Sequence, residues 1–153
     1  FLYILIRFRK WQFSLGAVVA LLHDVLFVMG VFSLADGFLP FQLEVDQAFI
    51  AAILTVIGYS LNDTVVVFDR IRENMGSRGK QNGVSINKSL NQTLSRTFNT
   101  SLTTFFVLLV IFLFGGEVIR GFMFALLLGV LVGTYSSLFI ATPVMFDASD
   151  KES

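Results

Sequence analysis

Four long apolar runs constrain this chain more than any other feature of its sequence. They cover residues 13–34, 48–68, 98–114 and 122–145, and each is of helical rather than strand length. A helix of about 20 residues rises about 30 Å, which matches the hydrocarbon core of a bilayer. A membrane β-barrel would instead show alternating segments of about 10 residues. The sequence therefore predicts an all-α integral membrane protein, built as a helix bundle.

Composition agrees with this class and argues against several others. Apolar residues make up 55% of the chain and charged residues only 14%. The 11 basic and 11 acidic residues balance, which argues against a nucleic-acid surface. The absence of Cys and the single His remove disulfides and most metal sites. We expect neither a cofactor nor a nucleic-acid partner.

The basic residues predict how the bundle is oriented. Ten of the 11 Lys and Arg residues fall on one side of the four spans, at Arg7, Arg9, Lys10, Arg70, Arg72, Arg78, Lys80, Lys88, Arg96 and Lys151. Arg120 falls on the other side. The connection at 35–47 has no base and contains Asp36, Glu44 and Asp46. By the positive-inside rule, both ends of the chain face the cytoplasm and this acidic connection faces outward.

The chain divides into three segments. Residues 1–10 look like the end of a truncated transmembrane helix and a cytoplasmic turn, as expected for a fragment of a larger protein. Residues 11–146 form the transmembrane domain, with a cytoplasmic loop at 70–95, and residues 147–153 form a cytoplasmic tail. We therefore expect four complete transmembrane helices plus the end of a preceding one.

The predicted loop has a turn-rich centre, GSRGKQNG, followed by VSINKSLNQTLSR. In the second segment Ile86, Leu90 and Leu94 share one helical face, and the other face is polar. We expect a short helix that lies along the membrane surface before the chain re-enters the membrane at Arg96. Its basic residues either contact anionic lipid or dock a partner.

Polar and small residues recur at helical spacing within the spans, and we expect these stripes to face the bundle interior. The first stripe consists of Gly16, Ala20, His23, Asp24 and Phe27. The second consists of Thr55, Tyr59, Asn62, Asp63 and Val66, and the third span begins with Thr97, Thr100, Ser101 and Thr104. The fourth span has a ridge of small residues at Gly121, Ala125, Gly129, Gly133, Ser137 and Ala141. Such a ridge predicts close helix packing.

Asp63 is the strongest candidate for chemistry. It lies about 9 Å inside the second span, counted by helix rise from Asp69, and charged side chains at membrane depth are costly and usually functional. Arg96, at the mouth of the third span, has a stem long enough to reach toward it. Low dielectric favours a neutral carboxyl group and a nearby arginine favours a charged one, so a switch between these environments would bind and release a proton. The alternative is a static buried pair that joins two helices.

Four further residues are supporting candidates. Tyr59, Asn62 and Thr64 can hydrogen-bond Asp63 or water near it, and Asp24 lies deeper by about 7 Å, so the two acids can stand along one polar path. His23 and Asp24 are adjacent and point about 100° apart, so they do not form a ready catalytic pair, and packing is the alternative role for both. The Ser and Thr hydroxyls have no base partner except His23. We expect a transport component rather than an enzyme.

Five segments together resemble the SecF family, or the SecF half of fused SecDF proteins. In chain order they are ALLHDV, VIGYSLNDTVVVFDRIREN, SLNQTLSRTFNTSLTT, LFGGEVIRGF and GVLVGTYSS. The resemblance implies part of a six-helix half within a pseudo-symmetric bundle of the resistance, nodulation and division superfamily. The family's first helix, its periplasmic domain and most of its second helix are not in this sequence. Its proton path uses the aspartate of NDT and the arginine that opens the next helix, which correspond here to Asp63 and Arg96.

The resemblance also implies a role in Sec-dependent export across the bacterial inner membrane, where proton flow drives late translocation of the polypeptide. The implied partners are SecD, which would supply a further aspartate of the relay, the SecYEG channel with the SecA motor, YajC, YidC, exported preproteins and membrane lipid. Two alternatives stay open. One is a proton-coupled exporter of small molecules or lipids from the same superfamily, and the other is a passive scaffold of the translocon.

Overall fold

The computed structural model describes residues 1–39, 41, 43, 45–75 and 83–150. Within these residues the chain forms α1 (Leu2–Phe8), α2 (Trp11–Ala35), α3 (Gln47–Asn74), α4 (Gly83–Phe114), α5 (Glu117–Ser136) and α6 (Thr142–Asp150). A π-helical segment over Ser137–Ala141 joins α5 to α6. The described residues contain no strand. The predicted all-α fold class is confirmed.

Four helices are long and apolar enough to cross a membrane. They are Trp11–Ala35, Gln47–Asn74, Gly83–Phe114 and the continuous stretch Glu117–Ser149. Each of the four spans predicted from the sequence falls inside one of them. The chain is a multi-pass membrane protein, and its four spans run alternately up and down.

Local chemistry explains where two of the helices begin and end. The backbone of Arg9 adopts a left-handed φ of 57°, which ends α1 and turns the chain into α2. The carboxylate of Asp46 accepts a hydrogen bond from the backbone N–H of Phe49 at 2.8 Å, which caps the start of α3. At the end of the chain, α6 reaches Asp150, so the predicted tail at 147–153 begins as helix.

Most of the predicted loop at 70–95 is helical. α3 continues to Asn74, and α4 runs unbroken from Gly83 to Phe114. The prediction of a separate surface helix that ends before Arg96 is therefore wrong. Several predicted loop and tail residues lie outside the described part of the chain, namely segment 76–82 with Arg78 and Lys80, Glu44 in the outer connection, and segment 151–153 with Lys151.

The first turns of α4 continue the membrane-spanning helix and do not lie along the membrane surface, because their polar face forms hydrogen bonds with α3. Asn74 donates a hydrogen bond through Nδ2 to Ser89 Oγ at 2.9 Å, and Arg70 donates through Nε to Gln92 Oε1 at 2.8 Å. Ser89 is fully buried, whereas Leu94 on the supposed apolar face is exposed. The polar side chains therefore find partners on a neighbouring helix and do not need water at a membrane surface.

The core has three layers along the bundle axis. One apolar cluster, the basic-end cluster, lies near α1 and comprises Ile4, Phe8, Phe13, Ala17, Ala20, Val67, Phe68, Ile71, Ile86, Leu138, Ala141 and Met145. The opposite-end cluster comprises Val28, Phe32, Leu43, Phe49, Ala52, Val56, Ala125 and Leu126. Between them lies a polar layer of buried side chains, formed by Asp24, Ser60, Asp63, Thr64, Ser101, Ser136 and Ser137.

The π-helical segment directly follows the polar layer on the last span. Pro143 has no N–H, and its ring would collide with the carbonyl of Phe139 in a regular α-helix. The wider π turn relieves this conflict. The Thr142 hydroxyl donates to the carbonyl of Ser137 at 3.3 Å, which satisfies a backbone acceptor in the widened turn.

Candidate functional site

Asp63 lies where α3, α4 and α5 meet. It is 5% exposed, and Ser101 donates a long hydrogen bond of 3.5 Å to its Oδ2. Ser101 Oγ in turn has the hydroxyl of Thr134 at 2.6 Å and that of Tyr59 at 3.4 Å. The carboxyl group therefore ends a chain of hydroxyls and is held by one weak contact, which leaves it able to change partners.

Arg96 and Asp63 do not form an ion pair in this conformation. Within the described residues, nitrogen–oxygen pairs of 4.0 Å or less join Arg7 to Asp69, His23 to Asp24 and Arg70 to Glu73. The Arg96 side chain is exposed, and it lies on α4, the helix whose Ser101 binds Asp63. The pairing predicted from the sequence thus requires a movement of Arg96.

The other residues predicted to support Asp63 have different partners. Thr64 is buried, and its Oγ1 lies 2.9 Å from Ser137 Oγ on the last span. Tyr59 is half-buried and reaches Asp63 only through Ser101. Asn62 is exposed. Of the three, Thr64 and Tyr59 join the polar layer or its edge, while Asn62 faces away from it.

The buried face of α3 is rotated from the predicted stripe. The face packed in the bundle contains Phe49, Ala52, Val56, Ser60, Asp63, Thr64 and Val67, whereas Thr55 and Asn62 are exposed. The prediction of an inward stripe is therefore wrong for those two residues. The reason is that Gly129 and Gly133 of the last span pack against Val56 and Ser60, and the spacing of polar residues alone does not reveal which face meets them. On α4 the inward prediction is also wrong for Thr100, which is exposed, while Thr97 and Ser101 are buried.

The predicted ridge of the last span lies against α3 and α2. Ala125, Gly129, Gly133, Ser137 and Ala141 are buried, and Gly121 is half-buried. A side chain on Gly129 would collide with Val56, and a Cβ on Gly133 would lie 3.0 Å from Ser60 Cβ. On α2, a Cβ on Gly16 would collide with the carbonyl of Ala141. Small residues on both sides thus allow close backbone approach.

Asp24 forms a second buried acid site. It has no exposed surface, and its Oδ2 accepts hydrogen bonds from Ser60 Oγ at 2.6 Å and from Ser136 Oγ at 2.8 Å. Its Oδ1 faces His23 Nδ1 at 3.3 Å. Asp24 therefore ties α2 to both α3 and α5.

Sequence reasoning did not single out Ser60 and Ser136. Ser60 directly follows Tyr59 and Ser136 directly precedes Ser137, so each serine is adjacent in sequence to a residue that the prediction named. Along the first stripe, Gly16, Ala20 and Asp24 are buried, while the His23 side chain is 37% exposed and Phe27 44% exposed. The inward prediction is thus wrong for Phe27 and holds in part for His23. Neither serine has a signal of its own in the sequence, because its contact with Asp24 depends on which helices are neighbours.

One turn of the last span contacts both acid sites. Thr134 reaches the Ser101 that binds Asp63, Ser136 binds Asp24, and Ser137 meets Thr64. Consecutive residues on a helix point about 100° apart, so Ser136 and Ser137 face α2 and α3 respectively. No group of three or more His, Asp or Glu side chains arranged to hold a metal ion occurs in the described part of the chain.

Comparison with known proteins places this architecture in a family. The sequence matches the family described as protein export membrane protein SecD/SecF, C-terminal, over residues 1–151. The protein translocase subunit SecF of Rhodothermus marinus is 62% identical over 148 residues, which cover 96% of this chain and 48% of that protein. SecF of Thermodesulfovibrio yellowstonii is 52% identical over 147 residues, which cover 94% of this chain and 46% of that protein.

A solved structure agrees with the sequence relatives. The crystal structure of SecDF in its super-membrane-facing form superposes with a TM-score of 0.88 and 41% identity, and the match covers 99% of this chain and 20% of that one. The chain spans about half the length of the SecF proteins it matches. The family match covers nearly the whole sequence. The chain belongs to the SecD/SecF C-terminal family of protein export membrane proteins.

Proposed function

We propose that this chain is membrane-embedded machinery of a SecF-like subunit, which assists Sec-dependent export and couples proton flow to late translocation of the polypeptide. The observation that carries the proposal is the state of Asp63, a buried carboxyl group with one long hydrogen bond and no ion pair among the described residues. The relatives named protein translocase subunit SecF support the export part.

The proposed cycle moves one proton on and off Asp63. A carboxyl group in a low-dielectric site favours the neutral form, and a guanidinium brought beside it favours the carboxylate. Ser101 provides a hydrogen bond in the first state, and Arg96, from its exposed position at the mouth of the third span, provides the charge in the second. Because these two residues lie on α4 and Asp63 lies on α3, the exchange shifts one helix against the other.

The available energy is sufficient for such a shift. One proton that crosses a potential of 100 mV releases about 2.3 kcal/mol. That energy changes a conformational equilibrium about 40-fold, because about 1.4 kcal/mol corresponds to a factor of ten. One proton per cycle is therefore enough to bias two packings of the bundle.

A partner covers the exposed polar face of α4 in this proposal. Arg96, Asn99, Thr100 and Thr103 share one helical face and are exposed, as is Asn62 on α3. Polar groups on membrane helices usually face protein or water. SecD, whose family relatives include the fused SecDF chain, is the proposed partner on this face and the source of a further acid. The SecYEG channel, YajC, YidC and exported preproteins are proposed partners of the complete protein.

The proposed location is the bacterial inner membrane, with both ends of this stretch in the cytoplasm. Among described residues, Arg7, Arg9, Lys10, Arg70, Arg72, Lys88 and Arg96 lie on one side of the bundle and Arg120 on the other. The positive-inside rule assigns the basic side to the cytoplasm.

The test is Asp63→Asn in the full-length protein, assembled with SecD in membrane vesicles that contain the translocon. We expect loss of proton flux and a fall of up to about 40-fold in the proton-driven component of late export, since one proton supplies that bias. Asp69→Asn is the matched control, because Asp69 lies on the same helix but in a half-exposed ion pair with Arg7.

The control variant should export normally at equal protein abundance. Normal proton flux and export in Asp63→Asn would contradict the proposal and favour a passive scaffold. Export of small molecules or lipids without any effect on preproteins would instead favour the exporter alternative.

A further inference from the structure

The second buried acid, Asp24, has no role in the proposed cycle of Asp63. It lies in the polar layer, between Ala20 of the basic-end cluster and Val28 of the opposite-end cluster on the same helix. A carboxyl group with no exposed surface is costly in such a place unless its environment satisfies it. If its only task were to join helices, an amide or a hydroxyl would do so without an ionisable group.

The two oxygens of Asp24 have different surroundings. Oδ2 is bound by Ser60 and Ser136, at 2.6 and 2.8 Å, whereas Oδ1 faces the Nδ1 of His23 at 3.3 Å. The His23 side chain is 37% exposed, so within the described residues it links the buried acid to the outside of the bundle. Two hydroxyls thus hold Oδ2 in place, and the imidazole of His23 connects Oδ1 to the surface of the bundle.

This geometry suits both protonation states of the acid. When Asp24 is ionised, both serines donate to Oδ2. When a proton is on Oδ1, Oδ2 is a weaker acceptor, and Ser136 has an alternative acceptor in the carbonyl of Gly133 at 3.2 Å. A hydroxyl group can rotate between such acceptors without leaving its place. Protonation therefore loosens the contact of α2 with α5 and leaves no buried group unsatisfied.

The transfer itself balances. A proton taken up at Nε2 of His23 gives an imidazolium, whose Nδ1 proton passes to Oδ1 of Asp24 and leaves a neutral imidazole protonated at Nε2. The titratable groups adjacent to this cluster are His23 on α2, Tyr59 and Asp63 on α3, and the exposed Tyr135 on α5. The residues of α5 that face Asp24 most directly, Gly133 and Ser136, are uncharged.

We propose that Asp24 is a second proton-binding site, that it exchanges its proton through His23, and that residues 133–136 of α5 couple it to Asp63. The coupling has a physical route. Thr134 contacts the Ser101 that binds Asp63, and Ser136 binds Asp24. Both acids are therefore linked by hydrogen bonds to the same helical turn. The π-helical segment begins immediately after it, where the helix backbone is already irregular and can repack. This inference extends the proposed proton coupling.

The test measures equilibrium protonation rather than export. The full-length protein with SecD, in lipid, is studied by infrared difference spectroscopy as the pH changes, and the carbonyl bands of protonated carboxyl groups are compared among variants. We expect Asp24→Asn to remove one band that Asp63→Asn leaves in place. Asp36→Asn, at the exposed end of the same helix, is the control and should leave both bands unchanged.

Two further variants separate a proton site from a packing residue. His23→Gln should keep the Asp24 band but slow its hydrogen–deuterium exchange by at least about 100-fold, the low end of what a positioned acid–base group contributes. Ser136→Ala should shift the Asp24 band and leave the Asp63 band where it is, and this variant serves if Asp24→Asn does not fold.

An unchanged spectrum in Asp24→Asn, or in Ser136→Ala, would overturn the inference. So would an exchange rate unaffected by His23→Gln. Loss of export in Asp63→Asn with no Asp24 band would leave the proposed function standing without this inference. An Asp24 band that changes with pH in a protein that carries no proton flux would leave this inference standing and contradict the proposed function.

Discussion

Asp24 and Asp63 lie in the same polar layer but are held with different strength. Asp24 has two short hydrogen bonds from serines on two helices, whereas Asp63 has one long bond from Ser101. Distances of 2.6 and 2.8 Å are close to the optimum for a hydrogen bond between two oxygens, whereas 3.5 Å is long. At the scale of single residues, Asp24 is therefore the firmly bound acid, and Asp63 is the one free to change partners.

The hydroxyl pair of Thr64 and Ser137 gives a prediction at this scale. Ser137 Oγ also lies 2.8 Å from the carbonyl of Gly133, so Thr64→Val leaves Ser137 hydrogen-bonded and should cost less than about 1 kcal/mol. Ser137→Ala leaves the buried hydroxyl of Thr64 without this partner and should cost roughly 1–2 kcal/mol. Unfolding in mixed detergent micelles measures both, and the double variant should be no less stable than Ser137→Ala. Equal losses for the two single variants would contradict this assignment.

At the scale of elements, the contact of α3 with α5 depends on glycines that face side chains. A Cβ on Gly129 would collide with Val56, which is 1% exposed. We predict that Gly129→Ala lowers the free energy of unfolding by about 1–3 kcal/mol, because the added methyl group overpacks the interface. Val56→Ala in the same chain should recover part of that loss. Gly58→Ala is the control, since a Cβ there meets nothing within 4 Å, and it should be neutral or stabilising by up to about 1 kcal/mol.

The elements also show which features a sequence of this kind reveals. The spans were predictable because bilayer thickness sets helix length, and Asp63 was predictable because an acid is rare in such a run. The continuation of the third span into the first turns of α4 was not predictable, because hydroxyl and amide groups that bind α3 look the same in sequence as groups that face water. Ser60 and Ser136 were not, because their role depends on which helix faces which. The π-helical segment was indicated by Pro143, which disrupts a regular α-helix, but the prediction used only the spacing of polar and small residues.

At the scale of the whole molecule, the two ends of the bundle differ in charge, and this predicts a labelling pattern. The stretch contains no Cys, so a single introduced cysteine is the one reactive site once any cysteines elsewhere in the full-length protein are replaced. We expect a membrane-impermeant maleimide to label Asp36→Cys from the periplasmic side of intact spheroplasts and not Lys88→Cys, because the proposed orientation puts the basic end in the cytoplasm. Both should react after the membrane is opened, which controls for accessibility. The reverse pattern would overturn the proposed orientation.

The three-layer core has a consequence for leakage. The two apolar clusters on either side of the polar layer contain no ionisable side chain, and in the basic-end cluster the rings of Phe8, Phe13 and Phe68 pack with centroids 5.1–5.9 Å apart. Each cluster is thus a barrier to proton movement, and a proton that crosses the bundle has to pass both. In the proposed proton cycle, the two clusters therefore have to admit protons alternately, because simultaneous opening would let protons leak through the bundle and dissipate the membrane potential.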